Sequence, residues 1–266
     1  MDSNNSRRSF LTTMSLGLVA TGIGAGNAQA FTLKNPGRDK QDPRYIGQKG
    51  KRFGMVIDLR KCVGCQACTA SCKCENNVPT GQYRTYVSEY EIGVFPNVRK
   101  AFLPQLCNHC ENPSCVSVCP TGATFKREDG IVVVDDTVCW GCGYCINACP
   151  YDKRFFNKLT KVADKCTFCA HRVDKGLLPA CVETCVGGAR VFGDLNNPNS
   201  EISKLLNMFP TNVMKKDQGT NPRVFYIGLN DEISDIPVSE AILDDLAKKI
   251  DKTPLAQWSV AYEGGK

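Results

Sequence analysis

Sixteen of the seventeen cysteines stand in four groups of four. They are Cys62-x2-Cys65-x2-Cys68-x3-Cys72, Cys107-x2-Cys110-x4-Cys115-x3-Cys119, Cys139-x2-Cys142-x2-Cys145-x3-Cys149 and Cys166-x2-Cys169-x11-Cys181-x3-Cys185. Cysteines two residues apart wrap a tight loop, so that three thiolates converge on three corners of one iron–sulfur cube while the fourth points elsewhere. The first and third groups have this spacing, and the second and fourth are stretched variants of it. Four groups predict four [4Fe–4S] clusters.

In two-cluster ferredoxins the fourth thiolate ligates the neighbouring cluster, so the groups are expected to work in pairs. The second and third are adjacent and both end in Cys-Pro, at Pro120 and Pro150. They make one unit, and by elimination the first and fourth close a second. The expected ligand sets are Cys62/Cys65/Cys68/Cys185, Cys166/Cys169/Cys181/Cys72, Cys107/Cys110/Cys115/Cys149 and Cys139/Cys142/Cys145/Cys119. A zinc ribbon would separate two pairs by a long loop. A disulfide framework is disfavoured by tight-loop geometry and by the odd total. Cys74 keeps no ligand spacing and is left as an ordinary thiol.

The elements needed to position these loops imply an α+β fold: two interlocked ferredoxin-like 2×[4Fe–4S] units with long irregular insertions and a C-terminal extension. The four-cluster region spans 52–195, with 52–99 and 160–195 as one unit and 100–159 as the other; 31–51 is an arm and 196–266 the extension. The apolar run Phe53 to Leu59 reads as a strand entering the first group. Ala123-Thr124-Phe125 and Ile131 to Val134 flank Glu128-Asp129-Gly130, a hairpin signal. Residues 75–105 show no clear period and are expected to be irregular and surface-lying. Asn199-Ser200 precedes a helical stripe of Ile202, Leu205, Leu206 and Phe209. Val224 to Ile227 reads as a strand, and Ser239 precedes a second stripe of Ile242, Leu243, Leu246 and Ile250.

At the N-terminus, Ser6-Arg7-Arg8-Ser9-Phe10-Leu11 precedes a modestly apolar stretch ending in Ala28-Gln29-Ala30. This reads as a twin-arginine signal over 1–30, with the mature chain starting near Phe31 and working in the periplasm. Export after folding keeps the thiols from oxidising to disulfides. No later run reaches the length of a membrane span, so any attachment to the inner membrane must run through a partner subunit. The formal charge of +6 falls to about −2 once four clusters, each about −2 with its thiolates, are counted. Nor do aromatics interleave with a basic run, so nucleic-acid binding is not expected.

Two histidines occur, His109 inside the second group and His171 after Cys169. His109 is expected to hydrogen-bond near cluster sulfur, and Trp140 to shield a cluster from water. Lys153, Arg154, Lys165 and Arg172 flank the third and fourth groups, where positive charge raises cluster potentials; half of them are expected to be merely solvated. No Ser-His-Asp set, dinucleotide loop or paired carboxylates stand out, which points to a non-catalytic electron carrier.

At the four groups the chain resembles the four-cluster electron-transfer subunits of molybdopterin oxidoreductases. The carrying segments are Ile57-Asp58-Leu59-Arg60-Lys61-Cys62, Leu106-Cys107-Asn108-His109-Cys110-Glu111-Asn112-Pro113, Arg127-Glu128-Asp129-Gly130-Ile131-Val132-Val133-Val134-Asp135 and Cys181-Val182-Glu183-Thr184-Cys185-Val186-Gly187-Gly188-Ala189-Arg190. The leader and Gly219-Thr220-Asn221-Pro222-Arg223-Val224-Phe225-Tyr226 are similar to the branch that serves tetrathionate reduction. The resemblance implies a relay in anaerobic respiration, from a membrane-embedded quinol-oxidising anchor subunit to a molybdopterin-containing catalytic subunit.

Overall fold

The computed structural model describes residues 43–229; the leader and the stripe after Ser239 lie outside the described residues. A short helix α1 (Pro43–Ile46) leads into β1 (Phe53–Asp58), α2 (Ala67–Glu75), β2 (Thr85–Ile92), β3 (Arg99–Leu106) and α3 (Ser114–Ser117). Then come β4 (Thr124–Lys126), β5 (Val132–Val134), α4 (Tyr144–Asn147), β6 (Arg154–Phe156), β7 (Ala163–Lys165), α5 (Ala170–Val173) and α6 (Ala180–Glu183). The last elements are β8 (Arg190–Asp194), α7 (Glu201–Met208), β9 (Thr211–Asn212) and β10 (Val224–Ile227). Helices and strands mix as expected for an α+β chain.

One sheet has the order β8-β1-β10-β9, with β1 parallel to β10 and antiparallel to β8. Every residue of β1 is buried, because both its faces are covered. Phe53, Met55 and Ile57 face a core that also holds Cys68, Cys107, Cys166, Cys181 and Phe168. Val56 faces the other way, onto Ile202 and the Leu205, Leu206 and Phe209 stripe of α7. Alternation along the strand thus separates a layer that includes cysteines from a purely hydrocarbon one. Ser200 caps α7, its side chain accepting from the Ser203 N–H, as the Asn-Ser signal implies. The expected hairpin is β4–β5, with Phe125 opposite Val133.

Residues 75–105 depart from the expectation of an irregular insertion. Most of them form β2 and the start of β3, paired in continuous register from Thr85↔Leu106 to Ile92↔Arg99. The strand period was hidden because one inward pair is polar: Thr85 Oγ1 donates to the Gln105 carbonyl at 2.8 Å, with both residues buried. The outer half exposes Glu89 and Lys100 as a surface ion pair. Ahead of β1, the Gln48 N–H donates to Asp129 Oδ2 at 3.0 Å and its side-chain amide to the Val173 carbonyl at 2.9 Å, so this segment lies on its own chain.

Candidate iron–sulfur site

The loops that carry the cysteines share one backbone device. The residue before the second cysteine has positive φ in every group: Gly64 at 70°, His109 at 43°, Gly141 at 70° and Phe168 at 51°. A left-handed residue there reverses the chain between the first two thiols of each loop. The third cysteine is always the second residue of a short helix, Cys68 in α2, Cys115 in α3, Cys145 in α4 and Cys181 in α6. The longer gaps of the second and fourth groups are therefore taken up before the helix, where Pro113 and Pro179 stand at the N-cap. Helix α2 packs on α6, and α3 on α4, bringing the first group to the fourth and the second to the third.

Cys62, Cys65, Cys68 and Cys185 line one cavity of about 350 Å³, walled by Val87, Pro104 and Arg190. Cys72, Cys166, Cys169 and Cys181 are all buried. Burial, then charge on Cys181 and Cys169, pushes the Cys72 thiol up to about 12. Burial likewise raises Cys166 well above the usual thiol range, followed by charge on Cys72 and Cys181. In the third set, burial followed by Cys107 raises Cys110 to about 12, with Cys115 and Cys149 also within electrostatic reach. Cys139 and Cys145 pack in one cluster with Cys115, while Cys142 is exposed. Cys119 Sγ accepts from the Thr124 N–H at 3.4 Å. Cys74 is exposed.

Several donors point at these sulfurs. The Ala189 N–H reaches Cys185 Sγ at 3.2 Å, the Phe168 N–H reaches Cys166 Sγ at 3.4 Å, and Arg154 Nη2 reaches Cys115 Sγ at 3.0 Å. Such bonds stabilise thiolates and lower the charge density on a bound cluster. His109 is fully buried and accepts from the Val132 N–H at Nδ1, at 3.0 Å, which places the ring proton on Nε2. That Nε2 has no partner among the described residues. A buried, orphaned donor beside the second cysteine loop fits an acceptor that protein atoms do not supply, such as cluster sulfur. Bare thiols with pKa values near 12 stay protonated at neutral pH, and iron replaces those protons. Among the described residues no three His, Cys, Asp or Glu side chains converge as around one ion. A cubane instead takes each thiolate at a different iron, so its ligands surround a volume. The donor set fits [4Fe–4S] clusters.

The other residues singled out in the sequence fall differently. Trp140 is 81% exposed, so within this chain it shields nothing. His171 is a surface residue paired with Glu75. Lys153, Arg154 and Lys165 are buried, and Arg172 pairs with Glu75 and Glu183, so the expectation that half would be solvated does not hold. Lys165 Nζ donates to the carbonyl of Val132 and, at 2.7 Å, to that of Cys166, tying β5 to the fourth cysteine loop. Sequence reasoning passed over Phe168, whose ring stacks on His109 at 3.7 Å between centroids and 23° between planes. It also gave no role to Arg190, although Arg190 follows Cys185 at the same interval as Arg154 follows Cys149.

The family model for a 4Fe-4S dicluster domain matches residues 98–195. The tetrathionate reductase beta chain of Salmonella typhimurium is 50% identical over 233 residues, covering 86% of this chain and 90% of that protein. Its counterpart of the same name in Archaeoglobus fulgidus is 46% identical over 186 residues, covering 70% and 86%. Protein NrfC of Escherichia coli is 44% identical over 225 residues, covering 84% and 95%. Taken with the four cysteine loops, this similarity across most of both chains shows that the protein belongs to the family of iron–sulfur electron-transfer subunits that contains the tetrathionate reductase beta chains.

Proposed function

We propose that this chain is the non-catalytic relay of a tetrathionate reductase, holding four [4Fe–4S] clusters on its sixteen grouped cysteines. The ligand sets are Cys62/Cys65/Cys68/Cys185, Cys166/Cys169/Cys181/Cys72, Cys107/Cys110/Cys115/Cys149 and Cys139/Cys142/Cys145/Cys119, in two interlocked ferredoxin-like units. Each cluster, when bound, supplies one reversible one-electron step.

The observation that carries the reading is how the sets adjoin. Cys181 of the second set lies within electrostatic reach of Cys68 of the first. Cys166 of the second lies within reach of Cys107 of the third. Cys115 of the third packs with Cys139 and Cys145 of the fourth. The sets therefore follow one another in a single file, and only the first and last contain an exposed cysteine, Cys65 and Cys142. Exposed apolar side chains surround both: Val63 and Val186 near the first, Trp140 and Tyr144 near the last. Such collars suit docking to other subunits better than free diffusion. Between them, Met55, Leu103, Leu106 and Phe168 keep water from the inner sets.

The partners proposed for the two ends are a molybdopterin-containing catalytic subunit and a membrane-embedded quinol-oxidising subunit. Among the described residues no helix is long and apolar enough to cross a membrane. Arg7-Arg8 supports export of the folded chain by the twin-arginine route, and hence a periplasmic site of action. Tetrathionate is favoured as acceptor by the two relatives whose names carry it. The test is to reduce the anaerobically copurified complex, remove the reductant and follow the clusters by electron paramagnetic resonance while tetrathionate, nitrite, polysulfide and thiosulfate are added separately. Reoxidation by tetrathionate alone is expected; reoxidation only by another acceptor overturns the substrate and keeps the relay.

A further inference from the structure

Two buried arginines lack the carboxylate that a buried cation normally needs. Arg154 and Arg190 are 5% and 3% exposed, and among the described residues neither forms an ion pair with Asp or Glu. The contrast is Arg127, equally buried but held between Asp129 and Asp174. An unpaired buried charge is strongly destabilising unless something nearby carries the opposite sign.

Their surroundings match closely. Arg154 donates to Thr124 Oγ1 at 3.2 Å and to Cys115 Sγ at 3.0 Å. Arg190 donates to Thr85 Oγ1 at 3.0 Å and lies 3.9 Å from Cys181 Sγ, while lining the cavity of the Cys62/Cys65/Cys68/Cys185 set. Each guanidinium is thus fixed by a threonine hydroxyl and touches a third-position cysteine. Each also stands within electrostatic reach of the third-position cysteine of the paired group, Cys145 for Arg154 and Cys68 for Arg190. In both cases the two third-position cysteines belong to different ligand sets.

We propose that Arg154 and Arg190 are potential-setting residues, each a permanent positive charge seated at the junction between the two clusters of its own unit. Reducing a cluster with its four thiolates takes its charge from about −2 to about −3, so a fixed cation between two such centres favours reduction of both. It also screens one reduced cluster from the other, so that an electron can occupy either without closing its neighbour to the next. Arginine suits the role because it stays protonated at any pH the protein meets. The inference rests on the four-cluster reading above.

The test is an equilibrium potentiometric titration, followed by electron paramagnetic resonance, of the intact complex carrying Arg154→Met, Arg154→Lys, Arg190→Met or Arg190→Lys. Two of the four cluster signals are expected to move to lower potential in Arg154→Met and the other two in Arg190→Met. The expected shift is a tenfold or greater loss in the reduction equilibrium, about 59 mV for a one-electron couple. The lysine variants recover most of it. Four intact clusters with unmoved potentials overturn the proposal, as do equal shifts of all four in both Met variants. Iron and sulfide analysis of the unmodified complex separates this from failure of the reading beneath: fewer than four clusters there overturns both. Should the Met variants not assemble, pulsed resonance on unmodified protein labelled with 15N-arginine decides. A side-chain 15N coupling to a reduced cluster is expected, and its absence overturns the proposal.

Discussion

The first and third cysteine groups differ from the second and fourth in the same three respects. Before the second cysteine the former have Gly64 and Gly141, the latter His109 and Phe168. At the N-cap of the cysteine helix the former have the left-handed Gln66 and Gly143, the latter the extended Pro113 and Pro179. The second cysteine is exposed in the former and at least partly buried in the latter. Glycine adopts the left-handed conformation without steric cost, whereas a bulky residue there is strained by about 1–3 kcal/mol. The inner loops accept that strain, and their two strained rings stack on each other. The outer loops are built to present a thiol at the surface, and the inner loops to seal the space between units.

Iron removal is the most severe challenge to this contrast. Under anaerobic exposure to a chelator, the clusters on the sets with exposed Cys65 and Cys142 are expected to be lost first. Loss of the inner pair should follow, with collapse of tertiary structure around the loops, since a gathered thiolate site folds only with its metal. Resonance signals followed against time, with circular dichroism in parallel, provide the check; four signals fading at one rate would erase the distinction between outer and inner sets.

Next in size is the ring pair. Phe168 is almost fully buried, packs edge-on against Phe192 and stacks on His109. Phe168→Ala is expected to cost about 3–5 kcal/mol, the usual range for emptying an aromatic site in a core. Denaturant unfolding of the complex should show it as a lowered midpoint. A loss under about 1 kcal/mol would mean that the stack does not hold the two units together.

The third test stays within one loop. A Cβ on Gly141 would lie 2.6 Å from the Lys161 carbonyl oxygen, whereas one on Gly143 meets nothing within 4 Å. Both residues have positive φ. Gly143→Ala should therefore cost only the conformational term, about 1–2 kcal/mol. Gly141→Ala adds a clash with backbone that cannot swing aside, and is expected to release the cluster on the set containing Cys142. Equal melting temperatures for the two variants would show that close packing of this loop on the β6–β7 turn does not matter.

These elements also show what could be read from the sequence and what could not. Cysteine spacing constrains chemistry directly, since ligand geometry leaves few alternatives, and β1, β4–β5 and α7 stood out because their apolar residues alternate or recur on one face. The β2–β3 hairpin was hidden because Thr85 and Gln105 satisfy each other inside it and contribute no hydrophobic signal. Burial of Arg154 and Arg190 was equally invisible. Charged residues are read as surface by default, and what offsets them is a cofactor rather than a neighbouring acid. Trp140 misled in the opposite direction: an aromatic between ligands suggests a shield, yet its loop turns outward at Gly141.

The smallest expected effect comes from the one outer-loop position where the glycine pattern is broken. Gln66 holds a φ of 59° where the third group has Gly143. Its side chain donates to the Val87 carbonyl at 2.7 Å, and its Oε1 accepts from the Val87 N–H at 3.2 Å and from Thr69 Oγ1 at 2.7 Å. The strain is thus offset by a clamp that fastens the first cysteine loop to β2. Gln66→Gly relieves about 1–2 kcal/mol of left-handed strain. It also removes three hydrogen bonds worth about 1 kcal/mol each. The expected net loss is about 1 kcal/mol, read from the denaturant midpoint, with faster chelation at the set containing Cys65. A gain in stability would mean that the strain outweighs the clamp, and that the first loop tolerates glutamine for a reason other than its grip on the hairpin.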